Sequence, residues 1–180
     1  MQESVYLGLG SNRDNRLSYL VQVLRLFRQT PAIELCRFSS IYETEPYGVK
    51  NQRDFLNIVV EINTDFTPGK LLQCLQFIER KVGRINRGVW ASREIDIDIL
   101  ALGNKIIQLP WLTVPHAELH KRRFVLTPFA EISPDFVLPK FNRPVQSLLT
   151  ECQDHCRVKK HIAAEEIEMD WLTAQERVLV

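Results

Sequence analysis

Apolar and polar residues alternate from Ser4 to Leu9 (SVYLGL), the period-two pattern of a half-buried strand. Gly10-Ser11-Asn12 ends it with turn chemistry. Leu17, Leu20, Val21, Leu24 and Phe27 then recur at helical spacing, predicting an amphipathic helix from about Asn15 to Gln29 that Pro31 closes. Ile33 to Tyr42 reads as a second strand, and Glu43 to Asp54 has no periodicity. From Phe55 to Asn63 the alternation is clean, with Leu56, Ile58, Val60 and Ile62 on one face. Thr67-Pro68 is an N-cap followed by proline at the first helical position. Leu71, Leu72, Leu75 and Ile78 carry that helix to about Val82, where Gly83 can cap it. A polar, arginine-bearing stretch leads from Arg84 to Glu94 into a fourth strand, Ile95 to Leu102, which Gly103-Asn104 turns.

Strand, helix, strand, strand, helix, strand is the order of a ferredoxin-like α+β sandwich (βαββαβ). It predicts an antiparallel sheet with both helices on one face, and an opposite face left open unless added elements cover it. Beyond Leu102, short elements rich in proline and aromatics reach Leu149. Residues 1–150 therefore read as one domain. Residues 151–180 read as a polar extension packing on it, with a helix around Ala164 to Arg177.

The chain has 180 residues, enough to build a core without staples. Lys and Arg number 23 against 22 Asp and Glu, a net charge of +1, which argues against a partner held by bulk charge, such as nucleic acid or an acidic membrane. No apolar run approaches a membrane span, and the N-terminus carries no secretory pattern. Cys36, Cys74, Cys152 and Cys156 form no CxxC pair and fit a reducing compartment, so a cytoplasmic location is expected. Cys152, His155, Cys156 and His161 match no common zinc spacing.

Ile95-Asp96-Ile97-Asp98-Ile99 carries the most chemistry. Alternation puts the isoleucines on one strand face and Asp96 and Asp98 on the other. This is either an ordinary half-exposed strand or a cation site. Asp is disfavoured in strands and two like charges repel, a cost that a divalent cation would remove. Oxygen-only ligands with open positions suit Mg²⁺ held jointly with phosphates. Arg84, Arg87 and Arg93 precede the pair, and Lys121, Arg122 and Arg123 follow, as phosphoryl transfer requires. No GxxxxGK[ST] sequence is present. Gly8-Leu9-Gly10-Ser11-Asn12 is too short for a dinucleotide fingerprint, and a tight strand-to-helix turn accounts for its glycines. Phe55 and Asn57 should share the aspartates' face, where they either stack and pair a flat heterocycle or are buried beneath a loop.

LGLGSN (Leu7 to Asn12), SSIYETEPYG (Ser39 to Gly48), DFLN (Asp54 to Asn57), Ile78-Glu79 through Gly83-Arg84, WASREIDIDIL (Trp90 to Leu100) and LTVPHAELHKRRFVLTP (Leu112 to Pro128) occur in this order. Together they resemble the 6-hydroxymethyl-7,8-dihydropterin pyrophosphokinases of folate biosynthesis, over roughly Val5 to Leu149. The resemblance implies a ferredoxin-like enzyme that moves the pyrophosphoryl group of ATP to the pterin hydroxymethyl and leaves AMP. It implies that Asp96 and Asp98 hold two Mg²⁺ ions, and that Arg84, Arg93, His116 and Arg122 contact phosphates. Gln76, Glu79, Ile99 and Thr113 match positions lining the ATP site, and Trp90 belongs to a loop that closes over it. Thr44, Pro46, Tyr47, Phe55, Asn57 and Phe124 match the pterin pocket, with Phe55 and Phe124 as stacking rings. Departures are Ala91-Ser92 in place of Gly-Pro, Ala117 after the VPH histidine, and Glu45 at a position commonly proline. Partners are then ATP and the pterin, with no nucleic acid or membrane, and the protein a monomer. Two other readings compete. One is an idle pterin- or nucleotide-binding module on the same fold. The other is an RNA-binding domain, which the near-zero charge and the two aspartates disfavour.

Overall fold

The structure is a computed structural model that describes residues 3–48, 51–88 and 91–167. β1 (Glu3–Ser11) leads into α1 (Arg16–Gln29), whose first turn is capped by the Asn15 side chain accepting the Ser18 N–H. The single strand expected from Ile33 to Tyr42 is instead two, β2 (Ile33–Phe38) and β3 (Ile41–Thr44). The break has a physical cause at Ser39-Ser40. The Ser40 N–H and hydroxyl are taken by the Glu131 carboxylate, and the Ser39 hydroxyl accepts the Val59 N–H. Side chains there take over part of the ladder, while the Ser39 N–H still donates to the Val59 carbonyl at 2.9 Å.

β4 (Phe55–Thr64) is the central strand, and α2 (Pro68–Val82) follows with Thr67 as its N-cap. Gly83 closes α2 in the left-handed region, φ +109°, where a glycine pays no Cβ penalty. β5 (Asp96–Leu102) completes the core of the sheet. The chain continues through a hairpin of β6 (Ile107–Leu109) and β7 (Leu112–Val114), a 3₁₀ turn (Leu119–Lys121) and α3 (Arg123–Ile132). A small ribbon of β8 (Val137–Leu138) and β9 (Arg143–Pro144) leads to α4 (Val145–Glu151). Last come β10 (Val158–Ile162) and α5 (Ala164–Ile167). The rest of the helix expected to reach Arg177 lies outside the described residues.

The main sheet runs β10-β3-β4-β1-β5, with β2 also on β4, and all pairings are antiparallel. α1 and α2 bury Leu20, Leu24, Phe27, Leu71, Leu75 and Ile78 against Val5, Leu7, Leu9, Leu56, Ile58, Val60, Ile62, Ile97 and Ile99. The faces assigned from alternation in β4 and β5 are those observed. The first two helices share one face, and the added elements α3 and α4 cover part of the opposite face. There Leu126, Phe129, Val145 and Leu148 pack on Tyr6, Val59, Leu100 and Ala101. A register shift in β5 opposite Tyr6 and Leu7 lets both Leu100 and Ala101 join that second cluster. The half of this face that α3 and α4 do not reach carries Gly8, Gly10, Phe55, Asn57, Asp96 and Asp98.

Candidate active site

The uncovered half-face is the floor of a cavity of about 620 Å³. Its lining includes Gly8, Gly10, Thr44, Pro46, Tyr47, Phe55, Asn57, Arg84, Arg93, Asp96, Asp98, His116, Arg122 and Phe124. Residues more than a hundred positions apart in sequence are thus brought together by four neighbouring strands, the segments that connect them and the start of α3.

The glycines of β1 are not turn residues, as the sequence suggested. Gly8 and Gly10 lie inside a regular strand between β4 and β5, paired with Asp98 and Asp96 on one side and with Val59 and Asn57 on the other. A Cβ on Gly10 would stand 2.8 Å from Asn57 Oδ1, and one on Gly8 3.2 Å from Leu100 Cδ2. Their missing side chains make the depth of the cavity. Asn57 is buried and donates through Nδ2 to Thr44 Oγ1 at 2.7 Å, so its amide is fixed in orientation. Phe55 borders it. Across the cavity the Phe124 ring lies 6.3 Å from that of Tyr47, with the Arg122 guanidinium 5.9 Å from the Phe124 centroid.

The charged side is built around Asp96. Arg84 and Arg93 both bond its carboxylate, one to each oxygen. Arg84 is delivered by the turn that ends α2 and is also held by Glu79. Glu79 in turn accepts the Ile97 N–H at 2.8 Å, tying α2 to β5. Burial raises the Glu79 carboxyl above its ordinary value, with Arg84 opposing. Burial, then the charge of Asp96, pushes Asp98 up to about 7, against the pull of Arg122 and Arg93. His116 is lowered to about 4 by burial and by Arg122, so its ring is neutral at pH 7. Arg122 Nε is buried without a hydrogen-bond partner. A buried donor of this kind calls for an anion.

Two carboxylates facing one way, with one of them disfavoured as an anion unless a cation is near, fit a hard divalent ion. No group of three or more His, Cys, Asp or Glu gathers into a metal cage among the described residues. The pair therefore leaves coordination positions for water or phosphate oxygen.

Four residues matched to the ATP site do not line this cavity. Gln76 is exposed on α2, Ile99 faces the core beneath the sheet, Thr113 sits on β7 opposite Gln108, and Glu79 acts on Arg84. Trp90 lies outside the described residues. Asn12 does not line the cavity but holds a segment that does, a role its sequence position does not show. Its Oδ1 accepts the Arg93 N–H at 2.8 Å, its own N–H reaches the Arg93 carbonyl at 3.2 Å, and Nδ2 donates to Gln52 at 3.0 Å. An asparagine immediately after a strand looks like turn chemistry, and nothing local shows that it pins an arginine from another loop.

The family model for 7,8-dihydro-6-hydroxymethylpterin-pyrophosphokinase matches residues 6–134. The chain belongs to this family. It is 38% identical over 156 residues to the 2-amino-4-hydroxy-6-hydroxymethyldihydropteridine pyrophosphokinase of Haemophilus influenzae, covering 87% of this chain and 97% of that one. To the enzyme of the same name from Bacillus subtilis it is 42% identical over 132 residues, 73% of this chain and 79% of the other. Among solved structures, Plasmodium falciparum HPPK-DHPS with pteroate superposes with a TM-score of 0.68 at 14% identity, over 84% of this chain and 42% of that longer one. This last likeness is one of fold. Every residue that lines the cavity falls within the matched span.

Proposed function

We propose that the protein transfers the pyrophosphoryl group of ATP to the hydroxymethyl oxygen of 6-hydroxymethyl-7,8-dihydropterin, releasing AMP, a step of folate biosynthesis. The observation that supports this reading most directly is one half-face of a sheet holding both a carboxylate–arginine cluster and an amide–aromatic pocket, in a chain of this family. The frame is read as ferredoxin-like, on the strand order β3-β4-β1-β5 with α1 and α2 on one face.

On this reading Asp96 and Asp98 hold two Mg²⁺ ions. When bound, the ions neutralise the triphosphate and polarise its bridging oxygens. Arg84 and Arg93 exchange their contacts with Asp96 for phosphate oxygens, the anions that a guanidinium fork suits best. Arg122 offers its unpartnered Nε, and the neutral His116 binds as a hydrogen-bonding group. Gln76, Glu79, Ile99, Thr113 and Trp90 are assigned to the nucleotide by family likeness. In the other half of the cavity Phe55 and Phe124 stack the pterin, Tyr47 borders it, and Thr44, Asn57 and the backbone near Pro46 meet its edge. Stacking aims the hydroxymethyl at the β-phosphorus, a positioning effect of up to ~7–11 kcal/mol. On the same reading the protein is a monomer acting in the cytoplasm on ATP and the pterin, and the near-even balance of 23 basic and 22 acidic residues supports the absence of a nucleic-acid or membrane partner held by bulk charge.

The test is AMP release from ATP with Mg²⁺, with and without the pterin, in the native chain and in Asp96→Ala. Pterin-dependent AMP that collapses in the variant is expected. Pterin binding without AMP from a folded native protein would overturn the transferase reading in favour of an idle module.

A further inference from the structure

The segment after α4 lies beyond the residues that the family model matches, yet it touches both walls of the pterin pocket. One wall is the stretch from Thr44 to Phe55, with Thr44 at the end of β3 and Phe55 at the start of β4. The other is the N-terminus of α3, which carries Phe124. Asp154 is buried against the second wall. Its Oδ2 accepts the Arg123 N–H at 2.9 Å, satisfying a donor that α3 cannot pair internally, while Oδ1 accepts the Cys156 N–H at 2.9 Å. Three residues on, Arg157 grips the first wall at both ends. Its N–H donates to Glu45 Oε2 at 3.2 Å, its carbonyl accepts the Glu45 N–H at 3.2 Å, and its Nη2 donates to Asp54 Oδ2 at 2.6 Å.

The grip is anchored. From Val158 the chain enters the sheet as β10, pairing Val158 with Thr44 and Lys160 with Tyr42. Lys160 bonds Glu131, the carboxylate that also holds Ser40, and Ile167 is fully buried in the main core. A short turn fixed at both ends therefore sets the separation of the two walls. Pocket width matters because an aromatic ring stacks only within a narrow range of distances.

We infer that Asp154–Arg157 is a brace for the pterin pocket, with Arg157 a positioning residue that acts through Glu45 and Asp54 and touches no substrate. The inference rests on the pterin reading of that cavity. Arg157 is more than half exposed, so the brace is modest in strength.

The test measures equilibrium binding of 6-hydroxymethyl-7,8-dihydropterin at saturating Mg²⁺ and a non-hydrolysable ATP analogue, and binding of the analogue alone, in the full-length chain. Arg157→Glu places a like charge against Glu45 and Asp54. It is expected to weaken the pterin ~5–10-fold, as loss and reversal of an exposed pair would. The nucleotide should stay within twofold and the melting temperature should hold. Arg157→Lys should restore most of the pterin affinity. Unchanged pterin binding in Arg157→Glu, or equal weakening of pterin and nucleotide, overturns the brace while leaving the proposed function standing. A native protein that binds the nucleotide but no pterin overturns both.

Discussion

The Gly10 α-carbon and the Asn57 amide face each other across neighbouring strands, with room for nothing between them: a Cβ on Gly10 would stand 2.8 Å from Asn57 Oδ1. That close approach sets where the amide points, because Thr44 already holds its other end. Gly10→Ala should therefore turn Asn57 away and raise KM for the pterin by at least ~10-fold, the worth of one good buried hydrogen bond. KM for ATP should stay within about twofold, since buried hydrogen-bond losses act locally. Steady-state kinetics with each substrate varied in turn checks the split. Parallel rises in both would show that the strand, and not the amide, had been disturbed.

Asp96 is bonded by Arg84 and Arg93 at once, so the groups proposed for phosphate occupy the carboxylate proposed for metal. On the proposed reading Asp96→Asn removes a metal ligand and weakens the hold on both guanidiniums. Pterin-dependent AMP release should fall by at least ~100-fold. ATP binding in EDTA should become tighter than in the native chain. Weaker metal-free binding in the variant would mean that these arginines do not serve phosphate.

His116, lowered to about 4 by burial and then by Arg122, should show no titration between pH 5 and 8 in the ligand-free protein. Bound triphosphate brings negative charge and should move the midpoint upward. The imidazole proton resonance, followed with and without Mg²⁺ and ATP, measures both.

Glu94 bonds Arg87 and accepts the Ile85 N–H at 3.3 Å, fastening the stretch that leads into the aspartates. Its carboxyl is lowered from 4.5 to about 2, chiefly by the Arg87 hydrogen bond. The folded state thus binds fewer protons than the unfolded one between those values. The contribution to stability is complete above about pH 4.5 and is lost as pH falls towards 2. At ~1.4 kcal/mol per pKa unit it amounts to at most about 3.5 kcal/mol. Urea unfolding of the native chain and Glu94→Gln should differ clearly at pH 7 and much less at pH 3. A gap independent of pH would assign the effect to packing.

Period and capping residues determined the central fold by themselves. Alternation in Phe55–Thr64 and Asp96–Leu102 announced which side chains face the helices, and Thr67 and Gly83 marked the ends of α2, because these are local backbone effects. The ordered motifs likewise named the carboxylate pair, the arginines and the aromatic pocket. Where information is non-local the sequence was silent. α3 is short and carries Pro128 inside it, so no periodic run advertised the helix that covers half of the second face. β10 is polar and half exposed, and only pairing with β3 makes it a strand. The glycines of β1 look like turn residues until two neighbouring strands show what a Cβ would strike. The tertiary structure alone decided how much of the sheet stays open and what braces its rim, because both depend on which distant segments compete for the same surface.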